Sequence, residues 1–236
     1  GDDEFDQGTE VSEKATFRHH EWHYRKEAAI ERPLAVTGVR VEHTPEFRTA
    51  VAALKEAIAN LNPAERARWQ AEKVCVYSDG SVEGAGVIGT AAIAIKVGTA
   101  VLQTGVRMAN FDIPLSSNRT EWAGALLAIC ILTAAEVDQE IELRLDNLNV
   151  VNRSNAIERD TSRINTWLKM QDRDIAELYG WWKRQRQARG MGEVEAIHQL
   201  GHPERRKKEE DFDEHERMNQ VVDEATHKCH PNQLIY

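Results

Sequence analysis

The chain has 236 residues, of which 41% are hydrophobic and 29% charged, and its formal net charge is −9 at pH 7. This composition is typical of a soluble globular protein with a real core, and no apolar run approaches the length of a membrane span, so no membrane partner is expected. Three well-separated cysteines without a CxxC pair exclude a disulfide framework and a zinc knuckle, which favours an intracellular protein of the nucleus or cytoplasm.

The charge is distributed unevenly along the chain. Residues 1–15 contain six acidic residues and one lysine, which is the composition of a disordered acidic tail. Two basic clusters occur late, at "WKRQRQAR" (182–189) and "RRKK" (205–208). The overall negative charge is unfavourable for nucleic-acid binding, but local charge decides where a phosphate backbone can lie.

Two helices are predicted ahead of the first strand. Apolar residues recur every three or four positions in "PEFRTAVAALKEAIANL" (45–61), which predicts an amphipathic helix. The following "NPAERARW" predicts a short helix in which Asn62 is the cap, Pro63 occupies the first turn and Glu65 reaches back to the cap.

From Val74 onward the apolar residues alternate, as they do in strands. "VCVYSDGS", "GTAAIAIKVG" and "AVLQTGVRM" predict an antiparallel meander with glycine-bearing turns. The later elements are a buried helix (118–136), a strand (141–147), a helix in "LNVVNRSNAIERD", a long helix (172–190), a strand in "EVEAIHQLG" and a last helix in "MNQVVDEATHKC". This order predicts an α/β fold, with a five-stranded mixed sheet (β-β-β-α-β-α-β-α) flanked by helices.

Four acidic residues lie at element ends or on otherwise apolar faces. Asp79 is in the first strand and Glu121 opens the first sheet-packing helix, while Asp146 ends the fourth strand and Asp223 is on the last helix. A buried unpaired carboxylate costs on the order of several kcal/mol, whereas Mg²⁺ or Mn²⁺ neutralises clustered carboxylates. If the first and fourth strands pair, the acids predict a site for two such ions, as used for displacement at phosphorus.

Motifs around these acids resemble those of the type 1 ribonucleases H. They are "YSDGS" (77–81), "SSNRTEWAGALLAI" (116–129), "LRLDNLNVV" (143–151), "GH" (201–202) and "NQVVDEA" (219–225). The acids occur in the order of that family, Asp, Glu, Asp, Asp, and the resemblance covers roughly residues 72–230.

The resemblance implies a ribonuclease H-like fold and hydrolysis of the RNA strand of RNA·DNA hybrids, with 3′-hydroxyl and 5′-phosphate products. It implies that two Mg²⁺ or Mn²⁺ ions are held by Asp79, Glu121, Asp146 and Asp223. The residues it places near the hybrid are Gly80, Ser81, Ser117, Asn118, Arg119, Asn147 and Asn219. The 2′-hydroxyls of the RNA strand are what such an enzyme can use to distinguish RNA from DNA.

The resemblance also implies a histidine that helps protons or product leave. His202 is the expected residue because it follows the strand in "IHQL", and His215, which is nearer Asn219, is the alternative. A long charged stretch lies between His202 and Asp223, where the family usually has a short loop, and its part "RRKKEEDFDE" is expected to be a self-neutralising loop. The cluster at 182–189 is expected to be a solvated helix face rather than a track for the DNA strand.

We expect an N-terminal extension at 1–71 and a ribonuclease H domain at 72–236. Because the chain begins with Gly1 and carries this extension, it is expected to be part of a longer polypeptide such as a retroelement reverse transcriptase. A free cellular ribonuclease H1 and a noncatalytic ribonuclease H-like binding module are the alternatives. A transposase or integrase core closes its site with Glu after two Asp, and the Asp-Glu-Asp-Asp order disfavours it.

Overall fold

The structure is a computed structural model, and the residues that it describes all lie within one compact unit, Ala35–Tyr236. They are residues 45–83, 88–109, 115–163, 165, 169–228 and 234–235. The acidic tail predicted at 1–15 lies outside the described residues. Within the described ranges, no helix is both long enough and apolar enough to cross a bilayer.

A mixed sheet lies at the centre of the unit. Its strands are β1 (Val74–Glu83), β2 (Ile88–Val97), β3 (Ala100–Ala109), β4 (Ile141–Leu145), β5 (Val194–His198) and β6 (Leu234–Ile235). They are arranged in the order β5-β4-β1-β2-β3-β6, in which β1, β2 and β3 are antiparallel neighbours and β4 runs parallel to both β1 and β5. The predicted five-stranded mixed sheet is confirmed, and the two-residue β6 extends it beside β3.

Helices cover both faces of the sheet. They are α1 (Pro45–Ala59), α2 (Pro63–Ala71), α3 (Ser117–Ala134), α4 (Leu148–Asn155), α5 (Ile157–Ser162), α6 (Arg173–Ala188) and α7 (Glu214–His227). α3 packs on β1 and β2 with α1 and α6 beside it, and α7 packs on β1, β2 and β3 from the other face. Successive side chains of a strand point to opposite faces, so each strand supplies apolar side chains to both helical layers. On β2, Ile93 points to the α1 and α3 side and Ala92 to the α7 side.

The two N-terminal helices adopt the structure that the sequence predicts. In the capping box of α2, the Asn62 side chain accepts from the Glu65 N–H (2.8 Å), and the Glu65 carboxylate accepts from the Asn62 N–H (3.2 Å). α1 packs against β3, and Leu54 on it is 1% exposed. The division of the chain at residue 71 stays a prediction.

α7 begins earlier than the predicted start at Met218. A second capping box starts the helix at Glu214, because the Asp213 side chain accepts from the Glu216 N–H (2.8 Å) and the Glu216 carboxylate accepts from the Asp213 N–H (3.2 Å). The charged stretch before Met218 lacks apolar periodicity, so the pattern of apolar residues does not reveal this first turn.

The basic cluster at 182–189 is not a uniformly solvated helix face. Arg186 is 1% exposed, and its guanidinium donates to the Gly192 carbonyl (3.0 Å), the Gln139 carbonyl (3.0 Å) and Thr133 Oγ1 (3.3 Å). It therefore joins α6 to α3 and to the loops before β4 and β5. The expectation of a solvated face is wrong for Arg186. Its side chain is buried because the carbonyl groups there require hydrogen-bond donors, which apolar side chains cannot supply.

Candidate active site

The candidate site forms where α3 passes closest to β1. A Cβ atom at Gly80 would overlap the carbonyl carbon of Thr120 and would lie 2.6 Å from the Glu121 nitrogen, so this approach of two backbones requires a glycine. Glu121 lies in the first turns of α3 and is 4% exposed. The contact at Gly80 therefore places the Glu121 side chain next to Asp79 on β1.

Three of the four predicted acids meet at this point. Asp79 hydrogen-bonds with Glu121 of α3 and with Asp223 of α7, and its Oδ1 also accepts from the Gly80 N–H (2.9 Å). Asp146 follows β4 directly, and its charge acts on Glu121. The parallel pairing of β1 with β4 explains this proximity, because Tyr77 pairs with Arg144 and the same register puts Asp79 level with Asp146. The side chains of Asp146 and Asp223 are each 37% exposed, so these two acids form the solvent side of the cluster.

Burial and mutual repulsion change the protonation of the inner acids. The pKa of Asp79 is raised to about 7, first by burial and then by the interaction with Asp223, while the bonds with Glu121 and Gly80 oppose the rise. The pKa of Glu121 is also raised well above its usual range, first by burial and then by the charge of Asp79. Oε2 of Glu121 is buried and has no hydrogen-bond partner among the described residues. The cluster thus contains carboxyl groups that are costly to ionise together.

The cluster has the chemistry of a divalent-cation site. All of its candidate metal ligands are carboxylate oxygens, which Mg²⁺ and Mn²⁺ prefer. The unpartnered oxygen of Glu121 is available as one of these ligands. Within the described ranges, however, no three His, Cys, Asp or Glu side chains are already arranged as ligands around one point. The inner carboxyls interact with one another instead, and a cation among them would neutralise charge that burial makes costly. The two-ion site therefore fits the residues present and stays a prediction.

Two histidines lie beside the acids, and neither was predicted. His198 Nε2 is 3.3 Å from Asp146 Oδ1, and His227 Nε2 is 4.0 Å from Asp223 Oδ1. The position of His198 follows from strand pairing, because it ends β5 opposite the last residue of β4, Leu145. The pairing of β4 with β5 was the signal that could have identified it.

The two histidines named from the sequence have other neighbours. His202 has a left-handed backbone conformation (φ 51°), and its Nδ1 lies 3.1 Å from Glu204 Oε1. His215 Nδ1 lies 2.6 Å from the Tyr77 hydroxyl. The roles assigned to His202 and, alternatively, to His215 stay predictions.

Comparison with solved structures gives ribonucleases H as similar folds. Ribonuclease H1 of the archaeon Halobacterium salinarum is 18% identical over 54% of this chain and 86% of its own, with a TM-score of 0.39. LC11-RNase H1, isolated from compost by a metagenomic approach and solved with an RNA/DNA hybrid, is 16% identical over 66% of this chain and 98% of its own (TM-score 0.41). The protease-reverse transcriptase of prototype foamy virus is 16% identical over 66% of this chain and 20% of its own (TM-score 0.49).

No protein-family model matches the chain, and no curated protein matches it in sequence. Because the structural identities and TM-scores are low, the fold is established by the strand order β3-β2-β1-β4-β5 and the element order of this chain itself. The chain has a ribonuclease H-like fold. This is the fold that the motif resemblance implies, and ribonuclease H1 proteins and ribonuclease H domains are among the solved structures similar to it.

Beside the acids, the ribonuclease H-like fold contains a buried ionic network at the start of α3. Arg119 is 3% exposed, and its guanidinium donates to Asp172 (3.2 Å) and to both carboxylate oxygens of Asp174 (3.0 and 2.8 Å). Asn118 Nδ2 donates to the same Asp172 carboxylate (2.7 Å), and Asn149 Nδ2 donates to Asn118 Oδ1 (2.8 Å). The network joins the first turns of α3 and α6, and it orients the amide group of Asn118.

The other residues expected to contact substrate occupy different environments. Ser117 is exposed at the start of α3, and Ser81 is half-buried on β1 beyond Gly80. Asn147 caps α4, since its side chain accepts from the Val150 N–H (3.1 Å), and Asn219 is 6% exposed on α7. Their contacts with substrate, and that of Arg119, stay predictions.

The raised pKa of Asp79 predicts a pH-dependent stability in the absence of divalent cations. Between about pH 4 and the folded-state pKa of about 7, the folded protein binds more protons than the unfolded chain does, so the free energy of unfolding falls as the pH rises through this window. Asp79→Asn removes the ionising group, and we expect it to be more stable than the wild type at about pH 8 but not at about pH 4. Urea denaturation in EDTA measures both differences, with Asp211→Asn, at an exposed acid, as the control. Identical pH profiles for the wild type and Asp79→Asn would contradict the assignment.

The buried network predicts a structural role for Arg119. Arg119→Ala leaves Asp172 and Asp174 without their cation, so we expect the free energy of unfolding to fall by about 3 kcal/mol or more. Arg189→Ala, at the exposed end of α6, is the control and is expected to change stability by about 0.5 kcal/mol or less. An unchanged urea midpoint for Arg119→Ala, accompanied by weaker hybrid binding, would show instead that the guanidinium acts on substrate.

Proposed function

We propose that this chain is a ribonuclease H, an endonuclease that hydrolyses the RNA strand of RNA·DNA hybrids and leaves 3′-hydroxyl and 5′-phosphate ends. The observation that carries the proposal is the meeting of Asp79, Glu121 and Asp223, with Asp146 beside them, at the central strand β1 of a ribonuclease H-like sheet. These residues come from four separate parts of the sequence. Their convergence has no structural benefit that is evident, because clustered carboxylates destabilise a fold unless a cation neutralises them.

The four acids would hold two Mg²⁺ or Mn²⁺ ions. When bound, such a pair of ions supplies activation of the attacking water and stabilisation of charge on the leaving 3′-oxygen. The chain contributes the orientation of the ligands: the Gly80 N–H fixes Asp79 Oδ1, and the buried start of α3 fixes Glu121. Asp146 and Asp223, whose side chains are each 37% exposed, are the acids accessible to an incoming phosphate group.

Recognition of the RNA strand is proposed for the polar residues at the start of α3. The Asp172 carboxylate orients the Asn118 amide, and Asn118 Oδ1 accepts from Asn149 Nδ2 on α4, so both amides are oriented and each retains further hydrogen-bonding capacity. A 2′-hydroxyl both donates and accepts a hydrogen bond, so oriented amides suit it. The solved complex of LC11-RNase H1 with an RNA/DNA hybrid supports a hybrid as the substrate class.

The proton-carrying histidine is proposed to be His202, with His215 as the alternative from sequence. His198 is a further candidate on geometric grounds, because it is 3.3 Å from Asp146. A histidine near a metal-binding carboxylate can accept or deliver a proton close to neutral pH.

The wider context is proposed to be a retroelement reverse transcriptase, of which this domain would be one part. The similarity to the protease-reverse transcriptase of prototype foamy virus, over 20% of that chain, is compatible with this context. A free cellular ribonuclease H1 is the alternative, and the similarity to the Halobacterium salinarum protein is equally compatible with it.

The test is cleavage of an RNA·DNA hybrid by the purified chain in Mg²⁺ and in Mn²⁺. We expect the wild type to cut the RNA strand and to leave duplex RNA and duplex DNA intact. Asp79→Asn is expected to lower the cleavage rate by about 10³-fold or more while the protein remains folded, because a neutral amide cannot replace an ionised ligand.

The matched control is Asp211→Asn, which removes the same charge at an exposed position. It is expected to cleave at the wild-type rate. A folded wild type that binds the hybrid but does not cleave it in either ion would support the noncatalytic binding module instead. Full activity of Asp79→Asn would show that Asp79 is not a ligand.

A further inference from the structure

The connection between β5 and α7, residues 199–213, has local structure of its own, and the expectation that residues 205–214 are self-neutralising stays a prediction. Two short 3₁₀ turns occupy it, at Pro203–Arg205 and Glu209–Asp211. Pro203 and Phe212 are buried within it, and Phe212 is 3% exposed. This connecting segment therefore has a defined path next to the candidate active site.

The start of the connecting segment touches the acid cluster. A Cβ atom at Gly201 would overlap Asp146 Oδ2 and would lie 3.1 Å from Asp146 Cγ, so the backbone here lies directly against that carboxylate. Arg206 binds the same stretch of backbone, since its Nη1 donates to the Gly201 carbonyl (2.7 Å) and its Nη2 lies 3.5 Å from the Leu200 carbonyl. One residue, Gly201, thus separates the Asp146 carboxylate from the Arg206 guanidinium.

Arg206 differs from its basic neighbour in what it binds. Lys207 pairs with the Glu216 carboxylate at 2.8 Å. Within the described part of the chain, the Arg206 guanidinium bonds to backbone carbonyls and to no carboxylate, and the residue is exposed. A guanidinium has five N–H donors, so several remain available for a ligand after these two bonds.

A positive charge at this position would attract the phosphate backbone of the substrate, which the proposed reaction requires. The acid cluster repels the phosphate backbone of any nucleic acid, and the net charge of −9 adds to that repulsion. A fixed guanidinium at the border of the cluster attracts a phosphate and matches its geometry with two parallel hydrogen bonds. The carbonyl contacts hold the Arg206 side chain in place before substrate arrives.

Exposed apolar side chains at the same strand ends give a second, independent indication of an interface. Leu148 follows β4 and is 54% exposed, and Leu200 follows β5 and is 55% exposed. β4 and β5 are parallel neighbours, so the two leucines come after adjacent strand ends. Exposed large apolar side chains next to a cation suit the sugars and phosphates of a nucleic-acid backbone, which present both apolar and anionic groups.

We propose that Arg206 binds a backbone phosphate of the RNA·DNA hybrid beside Asp146, with Leu148 and Leu200 against the adjacent sugars. The inference rests on the proposed function, which it deepens by naming a substrate-positioning residue outside the four acids. Arg206 touches substrate and no reacting atom, so it acts on binding of the hybrid and not on the chemical step.

The test measures hybrid binding separately from cleavage. Fluorescence anisotropy of a labelled RNA·DNA hybrid is recorded with the full chain carrying Asp79→Asn, at several salt concentrations. Adding Arg206→Ala is expected to weaken binding on the order of tenfold and to lower the slope of log K against log salt by about 1, because one phosphate contact is lost. Arg206→Lys keeps the charge and is expected to retain the slope with weaker binding.

Arg66→Ala is the matched control. Arg66 is also exposed, and its guanidinium bonds to the carbonyls of Ala59 (2.8 Å) and Leu61 (3.5 Å), but it lies on α2, which precedes the start of β1. It is expected to leave both the affinity and the slope unchanged. Equal effects of Arg206→Ala and Arg66→Ala, an unchanged slope for Arg206→Ala, or no binding of the hybrid by the Asp79→Asn chain would each overturn the inference. Absence of cleavage by the wild type, with the Arg206 effect on binding intact, would contradict the proposed function alone.

Discussion

The close contact of α3 with β1 at Gly80 is the constraint on which the candidate site depends. Any side chain at that position would collide with the backbone of Thr120, and α3 would have to move away from the sheet. With glycine there, the buried helix holds Glu121 against Asp79, and α7 brings Asp223 to the same place from the opposite face. The rest of the fold provides the rigid support for a cluster that repels itself.

That support is supplied by interactions away from the acids. α3 is surrounded by the sheet, α1 and α6, so most of its side chains are removed from water, and this burial provides the main favourable free energy at the site. The Arg119 network ties the first turn of α3 to α6, and Arg186 ties its far end to the loops before β4 and β5. A raised pKa at Asp79 is the electrostatic consequence of holding the acids together. Clustering the acids therefore lowers the stability of the fold at the candidate site, and packing elsewhere compensates for that loss.

Much of this arrangement could be predicted from the sequence because it depends on local pattern. Alternating apolar residues identify the strands, the spacing at Asn62 and Glu65 identifies the cap of α2, and the motif order places four acids on four elements. Features that depend on tertiary neighbours were not predictable in the same way. Arg119 carries a motif that indicates substrate contact, yet its partners Asp172 and Asp174 are more than fifty residues away. His198 becomes a neighbour of Asp146 only through the pairing of β4 with β5.

Locating bound Mn²⁺ in crystals of the wild-type chain by anomalous scattering is the most direct test of whether the four acids share cations. Two peaks about 4 Å apart, enclosed by the carboxylates of Asp79, Glu121, Asp146 and Asp223, are the predicted result. Crystals that contain Mn²⁺ elsewhere on the protein but show no peak among these four side chains would contradict the claim that the acids converge to share cations.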